Sequence, residues 1–260
     1  MLFLLSPAKA LDFESSLGPL PHEPTRPLFA KPAAQLIALL REKSPAQIAA
    51  LMSLSDNLSK LNVARYRAWS GRFTDKNSRP AVLAFDGDAY GGLQARQLPA
   101  DALAWLDQHL CILSGLYGVL RPLDRLRPYR LEMGTRLANP QGADLYRFWG
   151  DQLTGYVNQR LRADASPVVV NLASQEYFRA IQPKALKARV IDCRFEERQA
   201  DGSHKVISFF AKRARGLMMR FCTEQRAMTP ATLRRFSSEG YALDEAVSSP
   251  DRFVFRRGAV

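Results

Sequence analysis

Lys9, Asp88 and Glu176 are the side chains of this 260-residue chain best placed to move protons. An acid beside a cationic group can abstract a proton, or stabilise the oxocarbenium-like cation that forms when a glycosidic bond breaks. Each of the three follows a short apolar run. MLFLL leads into Ser6-Pro7-Ala8-Lys9, AVLAF into Asp86-Gly87-Asp88, and PVVV into Asn171-Leu172-Ala173-Ser174-Gln175-Glu176. A fourth run, LCIL, leads into Ser114-Gly115-Leu116-Tyr117-Gly118. Ligands of open α/β sheets lie beyond the carboxyl ends of the strands, so Ser114, Asn171, Ser174 and Arg130 join the candidate pocket. Each has a plainer reading as a turn residue, and Glu176 as an acid favoured in the first turn of a helix starting near Ser174. No P-loop, dinucleotide fingerprint or nucleophile elbow is present. His22, His109 and His204 form no spaced pair, so neither a metal nor a cofactor is expected.

A second chemistry is electrostatic. Lys and Arg number 37 against 25 Asp and Glu, a net charge of +12, which favours a polyanionic partner, nucleic acid first. The charge is clustered. Arg121, Arg125, Arg127, Arg130 and Arg136 stand against only Asp124 and Glu132. In SFFAKRARGLMMRF (208–221), a helical winding separates an apolar stripe of Phe210, Ala214, Leu217, Met218 and Phe221 from a basic face of Lys212, Arg213 and Arg220. Arg215 falls at the flank. Gly216, unfavourable inside a helix, leaves room for a phosphate or for another segment to approach. The alternative is a solvated charged face.

The elements that would position these groups alternate. Apolar runs at 1–5, 81–85, 110–113, 167–170, 188–195 and 205–210 read as buried strands, the last pairing antiparallel with VIDCRFEE (190–197) across the turn ADGSH. Helical patterns cover 32–43, 45–53, 56–69, 99–108, 144–163, 174–181 and 210–227. That alternation predicts an α/β (α+β) fold, a mixed sheet covered by helices, in one domain spanning 1–260. Five prolines between Pro19 and Pro32 mark an extended surface connection. Cys111, Cys193 and Cys222 are too scattered for a disulfide framework. MLFLLSPAK lacks the basic start of a signal peptide, and no apolar run approaches the roughly 20 residues of a membrane helix. We expect a cytoplasmic protein that does not engage membranes and acts as a monomer.

Residues 44–69 place two helices end to end with almost no loop. Ser44 is an N-cap, Pro45 the first helical residue, and Leu54 sits between Ser53 and Ser55 before the second helix. The layout resembles a helix-hairpin-helix module, whose second helix holds a DNA phosphate on its N-terminal N–H groups. Ser53 and Ser55 occupy its glycine positions and Asp56 is unfavourable to an anion, whereas Lys60, Arg65 and Arg67 make the second helix basic. An αα-hairpin packed on the sheet is the alternative.

Taken in order, SPAK (6–9), SGLYGVLRPLD (114–124), YRLEMG (129–134), LYRFWGD (145–151), NLASQEYF (171–178) and FFAKRARGLM (209–218) resemble the YaaA family, bacterial proteins associated with resistance to peroxide stress. The resemblance implies a cytoplasmic, single-domain α/β protein of unusual fold with a helix-hairpin-helix element. It also implies DNA binding along a positively charged cleft, and it implies no agreed catalytic activity. Two functions stand side by side. In the first, Lys212, Arg213, Arg215 and Arg220, with Ser53, Ser55 and Lys60 of the hairpin and Arg121 and Arg130, contact the backbone of duplex, distorted or single-stranded DNA. Tyr117, Tyr129 and Trp149 are then candidates for stacking on bases, against core packing. In the second, an enzyme acts on a nucleotide or on a base in DNA with Lys9, Asp88 and Glu176.

Overall fold

The computed structural model describes residues 1–258. Along them the strands are β1 (Leu2–Leu5), β2 (Ala10–Leu11), β3 (Arg79–Pro80), β4 (Phe85–Asp86), β5 (Leu110–Ser114) and β6 (Gly118–Leu120). They continue as β7 (Arg125–Leu126), β8 (Val168–Leu172), β9 (Arg189–Arg198), β10 (His204–Lys205), β11 (Tyr241–Leu243) and β12 (Arg252–Arg257). The helices begin with α1 (Ala30–Arg41), α2 (Pro45–Met52), α3 (Asp56–Ala68), α4 (Ala81–Ala84), α5 (Asp88–Leu93) and α6 (Ala100–His109). After these come α7 (Leu145–Trp149), α8 (Gln152–Arg160), α9 (Gln175–Arg179), α10 (Ser208–Glu224) and α11 (Pro230–Leu233).

The predicted mixed sheet is present, with eight strands in the order β11-β12-β9-β8-β1-β5-β6 and β10 paired to β9. Its five central strands are parallel, and β6, β10 and β11 are antiparallel additions. β1, β5 and β8 are buried at every position, which is why they read as unbroken apolar runs rather than as alternating ones. No helix among the described residues is long and apolar enough to cross a membrane.

Three expected elements differ. AVLAF is not a strand but one helical turn, α4, followed by the two-residue β4. The N–H groups of Ala81 and Val82 donate to Asp124 O and Pro122 O, both at 2.9 Å, so a loop satisfies the donors that a ladder would have used. A short buried apolar run carries no period that tells the two apart. KVISFF keeps its antiparallel start, but the ladder ends at Lys205 and Ser208 already belongs to α10. The helix expected over 144–163 breaks at Gly150 (φ 50°) into α7 and α8.

The face assignment within α10 also changes. Its buried residues are Ala211, Ala214, Gly216, Met218, Met219, Cys222 and Thr223, while Phe210, Leu217 and Phe221 are half-buried. The reason is α5, which crosses the supposed solvent face. A Cβ added at Gly216 would lie 1.7 Å from Ala89 O, and one at Gly92 would lie 2.3 Å from Arg213 O. Glycine here serves helix-to-helix approach, the second of the two uses anticipated.

α2 and α3 are joined by Ser53-Leu54-Ser55. Ser44 closes a capping box with Gln47 at the start of α2, and Ser53 ends that helix in the left-handed region (φ 52°, ψ 50°). Ser55 then caps α3, its Oγ accepting from Leu58 N at 3.4 Å. α3 is anchored to the rest of the molecule by Tyr66, which is fully buried and donates to the carbonyl of Arg130.

Candidate functional site

The sheet order places a crevice where the strand-end residues meet. From β1 the chain reaches β5 on one side, whereas β8, β9 and β12 follow one another on the other side. The reversal falls between β1 and β8, and at such a switch point the two carboxyl ends diverge and leave room for a ligand. Here the crevice deepens into a cavity of about 490 Å3. It is lined by residues following β1 (Ser6 to Ala10), β4 (Asp86 to Tyr90) and β8 (Leu172, Ser174, Glu176, Tyr177), by Tyr129 to Glu132, and by Lys212 and Arg215 of α10.

Local contacts hold these segments together. Ser174 N–H donates to Ser6 Oγ at 2.9 Å across the β1–β8 crevice, and Tyr90 OH donates to Ser6 O at 3.1 Å. The β2–β4 ladder pairs Ala10 with Asp86 and so carries the Asp88 loop to the mouth. Gly115 lets the loop after β5 touch the 131–132 backbone, since a Cβ there would lie 2.3 Å from Leu131 O.

The structure therefore brings Lys9, Asp88, Arg130, Ser174 and Glu176 to one cavity. It does not bring Ser114 or Asn171. Ser114 is fully buried below the cavity, its Oγ 2.6 Å from Tyr129 OH and accepting from Tyr117 N–H at 2.9 Å. Asn171 is consumed in the sheet, donating to Asp192 at 2.7 Å and accepting from Ala173 N–H at 3.0 Å. Tyr117 and Trp149 are fully buried, so neither can stack on a base, and burial pushes the Tyr117 hydroxyl up to about 12. Tyr129 is buried too, but it forms part of the cavity wall.

Glu132 was not foreseen as a site residue, yet it organises the cations. Its carboxylate takes Lys9 Nζ at 3.3 Å on one oxygen and Arg130 Nη2 at 2.9 Å on the other. Only its place inside YRLEMG could have marked it. Glu176 is exposed in the first turn of α9, accepting from Gly134 N–H at 2.8 Å through Oε1. That is the geometry of a helix-start acid that also faces a cavity. Asp88 is half-buried at the start of α5.

The candidate backbone-binding cations divide sharply. Arg213 pairs with Glu239 at 2.5 Å, Arg220 with Glu224 at 2.8 Å, Lys60 with Asp56 at 2.7 Å, and Arg121 with Asp124 at 3.1 Å. A guanidinium already paired adds little to phosphate binding. Lys212 and Arg215 have no carboxylate partner among the described residues, and both face the cavity. Arg215 is the odder of the two. Its Nε is buried without a hydrogen-bond partner, and burial lowers its hold on the proton, opposed by Asp192 and Cys193.

A further group of cations gathers at the C-terminal end of α3. Arg41 donates to Tyr66 O at 2.9 Å and to Trp69 O, while Arg127 donates to Ala68 O at 2.6 Å and to Ser70 Oγ at 2.5 Å. The negative end of a helix dipole favours such cations. Arg65 and Arg67 belong to the same turn of α3, and none of the four has a carboxylate partner among the described residues. Burial chiefly disfavours the charge of Arg65, opposed by Tyr66 and reinforced by Arg130; Tyr66 of the same helix donates to the carbonyl of Arg130, which lines the cavity.

These features coincide with a family match. The family model described as peroxide stress protein YaaA covers residues 1–247. The chain belongs to the YaaA peroxide stress family. A UPF0246 protein of Albidiferax ferrireducens is 64% identical over 99% of this chain and 98% of its own length. UPF0246 proteins of a Polaromonas species and of Bordetella petrii are 60% and 56% identical, over 99% and 100% of this chain and 98% and 100% of their own lengths.

Membership of a peroxide stress family raises the question of the thiols. Cys111 and Cys222 are fully buried and Cys193 nearly so. Burial raises all three, Cys111 to about 11. The thiolate is the form that attacks peroxide, so burial and a raised thiol both work against reaction at these three cysteines.

Proposed function

We propose that this YaaA-family protein associates with DNA as a monomer in the cytoplasm, holding the phosphate backbone with little sequence preference. The observation that carries this reading is the acid-free run of Arg41, Arg65, Arg67 and Arg127, which leads past Arg130 to Lys212 and Arg215 at the cavity. In a chain of net charge +12, such a run attracts a polyanion, and phosphates bound along it release counterions. The α2–α3 turn lies at the other end of the same helix. In this reading it acts as a helix-hairpin-helix, with Ser53 in the left-handed position that a glycine takes in that module.

The test is fluorescence anisotropy of labelled duplex, bubble and single-stranded DNA over a salt series. Each phosphate contact contributes about 0.9 to the slope of log K against log salt. Arg67→Glu and Lys212→Glu should each weaken binding and flatten the slope by about that much. Arg213→Ala and Arg220→Ala, which remove cations already paired, should change little. Wild-type protein without affinity for any of the three DNAs refutes the reading.

One observation favours a second reading, an enzyme acting on a nucleotide or on a base in DNA. Lys9 and Asp88, chosen for proton transfer, share the cavity with Glu176. Chromatography of free bases after incubation with DNA, comparing wild type with Asp88→Asn and Glu176→Gln, tests it. The exposure of Glu176 favours the binding reading over this one.

A further inference from the structure

Arg215 sets a problem that the protein alone does not solve. Arg215 is half-buried, and a guanidinium N–H drawn out of water without a partner is destabilising. Glu132 and Glu239 serve the neighbouring Arg130 and Arg213, and Asp192, the acid felt by Arg215, accepts from Asn171. The Nε of Arg215 is left buried with no partner, on the wall of a cavity. Lys212, one helical turn earlier on α10, faces the same space and is also without an acid. Two unneutralised cations on one helix face match a dianion, and a guanidinium fork matches phosphate geometry.

The rest of the cavity is not a phosphate site. Leu5, Leu131 and Leu172 are apolar, and Tyr90, Tyr129 and Tyr177 present rings. Asp88 and the Oε2 of Glu176 are acceptors without a protein donor among the described residues, suited to sugar hydroxyls or to amino groups on a base. At about 490 Å3 the space lies in the range of small-molecule sites.

We infer that this cavity is a nucleotide site, in which Lys212 and Arg215 hold a phosphate and the tyrosine- and leucine-lined remainder takes the nucleoside. The inference deepens the DNA reading and rests on it for one of two sources of ligand. The nucleotide is either free or a single unit swung out of a DNA strand while the arginines of α3 hold the backbone.

Titration calorimetry with deoxyadenosine 5′-monophosphate, deoxyadenosine and inorganic phosphate addresses the free ligand. Anisotropy and 2-aminopurine fluorescence, with a fully paired duplex and one bearing a single bulged 2-aminopurine, address the DNA-held one. The monophosphate should bind, and deoxyadenosine should bind about ten-fold more weakly, for loss of the charge-assisted contacts. Arg215→Met and Lys212→Met should each weaken the monophosphate by about the same factor. Lys212 is exposed, so its variant keeps the test sound if Arg215→Met misfolds. Monophosphate binding supports a free nucleotide. A bulge preference that Arg215→Met abolishes, without monophosphate binding, supports the DNA-held unit. If neither depends on Arg215 and Lys212 while paired duplex still binds, the nucleotide site is overturned and the backbone reading stands. Monophosphate binding without duplex binding overturns the backbone reading alone.

Discussion

Replacing Gly216 with alanine tests how α10 is held against α5 and, through that, how Lys212 and Arg215 are aimed. The added Cβ would stand 1.7 Å from Ala89 O, 2.7 Å from Ala89 C and 2.8 Å from Leu93 N. All three are backbone atoms of α5 or its first turn, so no side chain can swing aside and the helices themselves must part. Overpacking of this kind costs about 3 kcal/mol at the upper end of its usual range. The better helix propensity of alanine returns about 1 kcal/mol. The net is about 2 kcal/mol of lost stability, which for a chain of this size lowers Tm by about 5 °C. Urea titration and thermal unfolding followed by circular dichroism measure it. Gly92→Ala meets Arg213 O at the same crossing and should cost a similar amount. The double variant should cost less than the sum, because the first substitution has already opened the contact. A Gly216→Ala protein as stable as wild type, or stabilised by the propensity gain of about 1 kcal/mol, would refute the close crossing. It would return Gly216 to a gap in a solvated basic face.

Three further outcomes follow from named groups. Native protein should leave Cys111, Cys193 and Cys222 unmodified by a thiol reagent and by millimolar peroxide, all three reacting only in denaturant. Rapid native sulfenic acid formation, seen by mass spectrometry, would make one of them a sensor. Burial lowers the His109 imidazole below its ordinary 6.5, against the opposing bond of its Nδ1 to Trp105 O. The unfolded chain therefore takes up the proton first, so this stability is present above about pH 6.5 and is lost as pH falls below it. A His109→Gln variant should show a shallower loss of stability between pH 7 and 5 in urea titrations, and an unchanged slope would count against it. Ser53 occupies the left-handed region, so Ser53→Gly should stabilise the protein by about 1 kcal/mol. If the α2–α3 turn grips phosphate, the same change should also leave duplex affinity unchanged or raised in the anisotropy series, and a marked loss would argue against that grip.

How far the site was legible can be followed residue by residue. Lys9, Asp88 and Glu176 were picked because small and polar residues followed apolar runs, and the parallel alignment of β1 and β8 brings two of those run ends together. Asp88 arrives by another route, since its run proved to be a helical turn delivered to the mouth by the β2–β4 ladder. Ser114 and Asn171 fit the same pattern, yet each side chain turns to a neighbour inside the sheet edge, a matter of rotamer and packing that spacing does not encode. The basic stretch of α10 was visible, but its division into paired and unpaired cations depended on Glu239, which lies 26 residues from Arg213.

By itself the sequence determined the elements whose burial is complete or whose caps are local. The apolar runs of β1, β5 and β8, the Ser44-Pro45 start of α2 and the excess of basic charge are properties of neighbours along the chain. It also carried the family, because six blocks in order survive in the primary structure alone. Tertiary structure decided which face of α10 meets α5, which arginines are neutralised, and that the Nε of Arg215 is left buried and unmet beside a cavity. The physical reason is distance along the chain: the α5–α10 crossing, the Lys9–Glu132 and Arg213–Glu239 pairs and the cavity are made between residues tens to hundreds of positions apart, and local spacing holds no record of them.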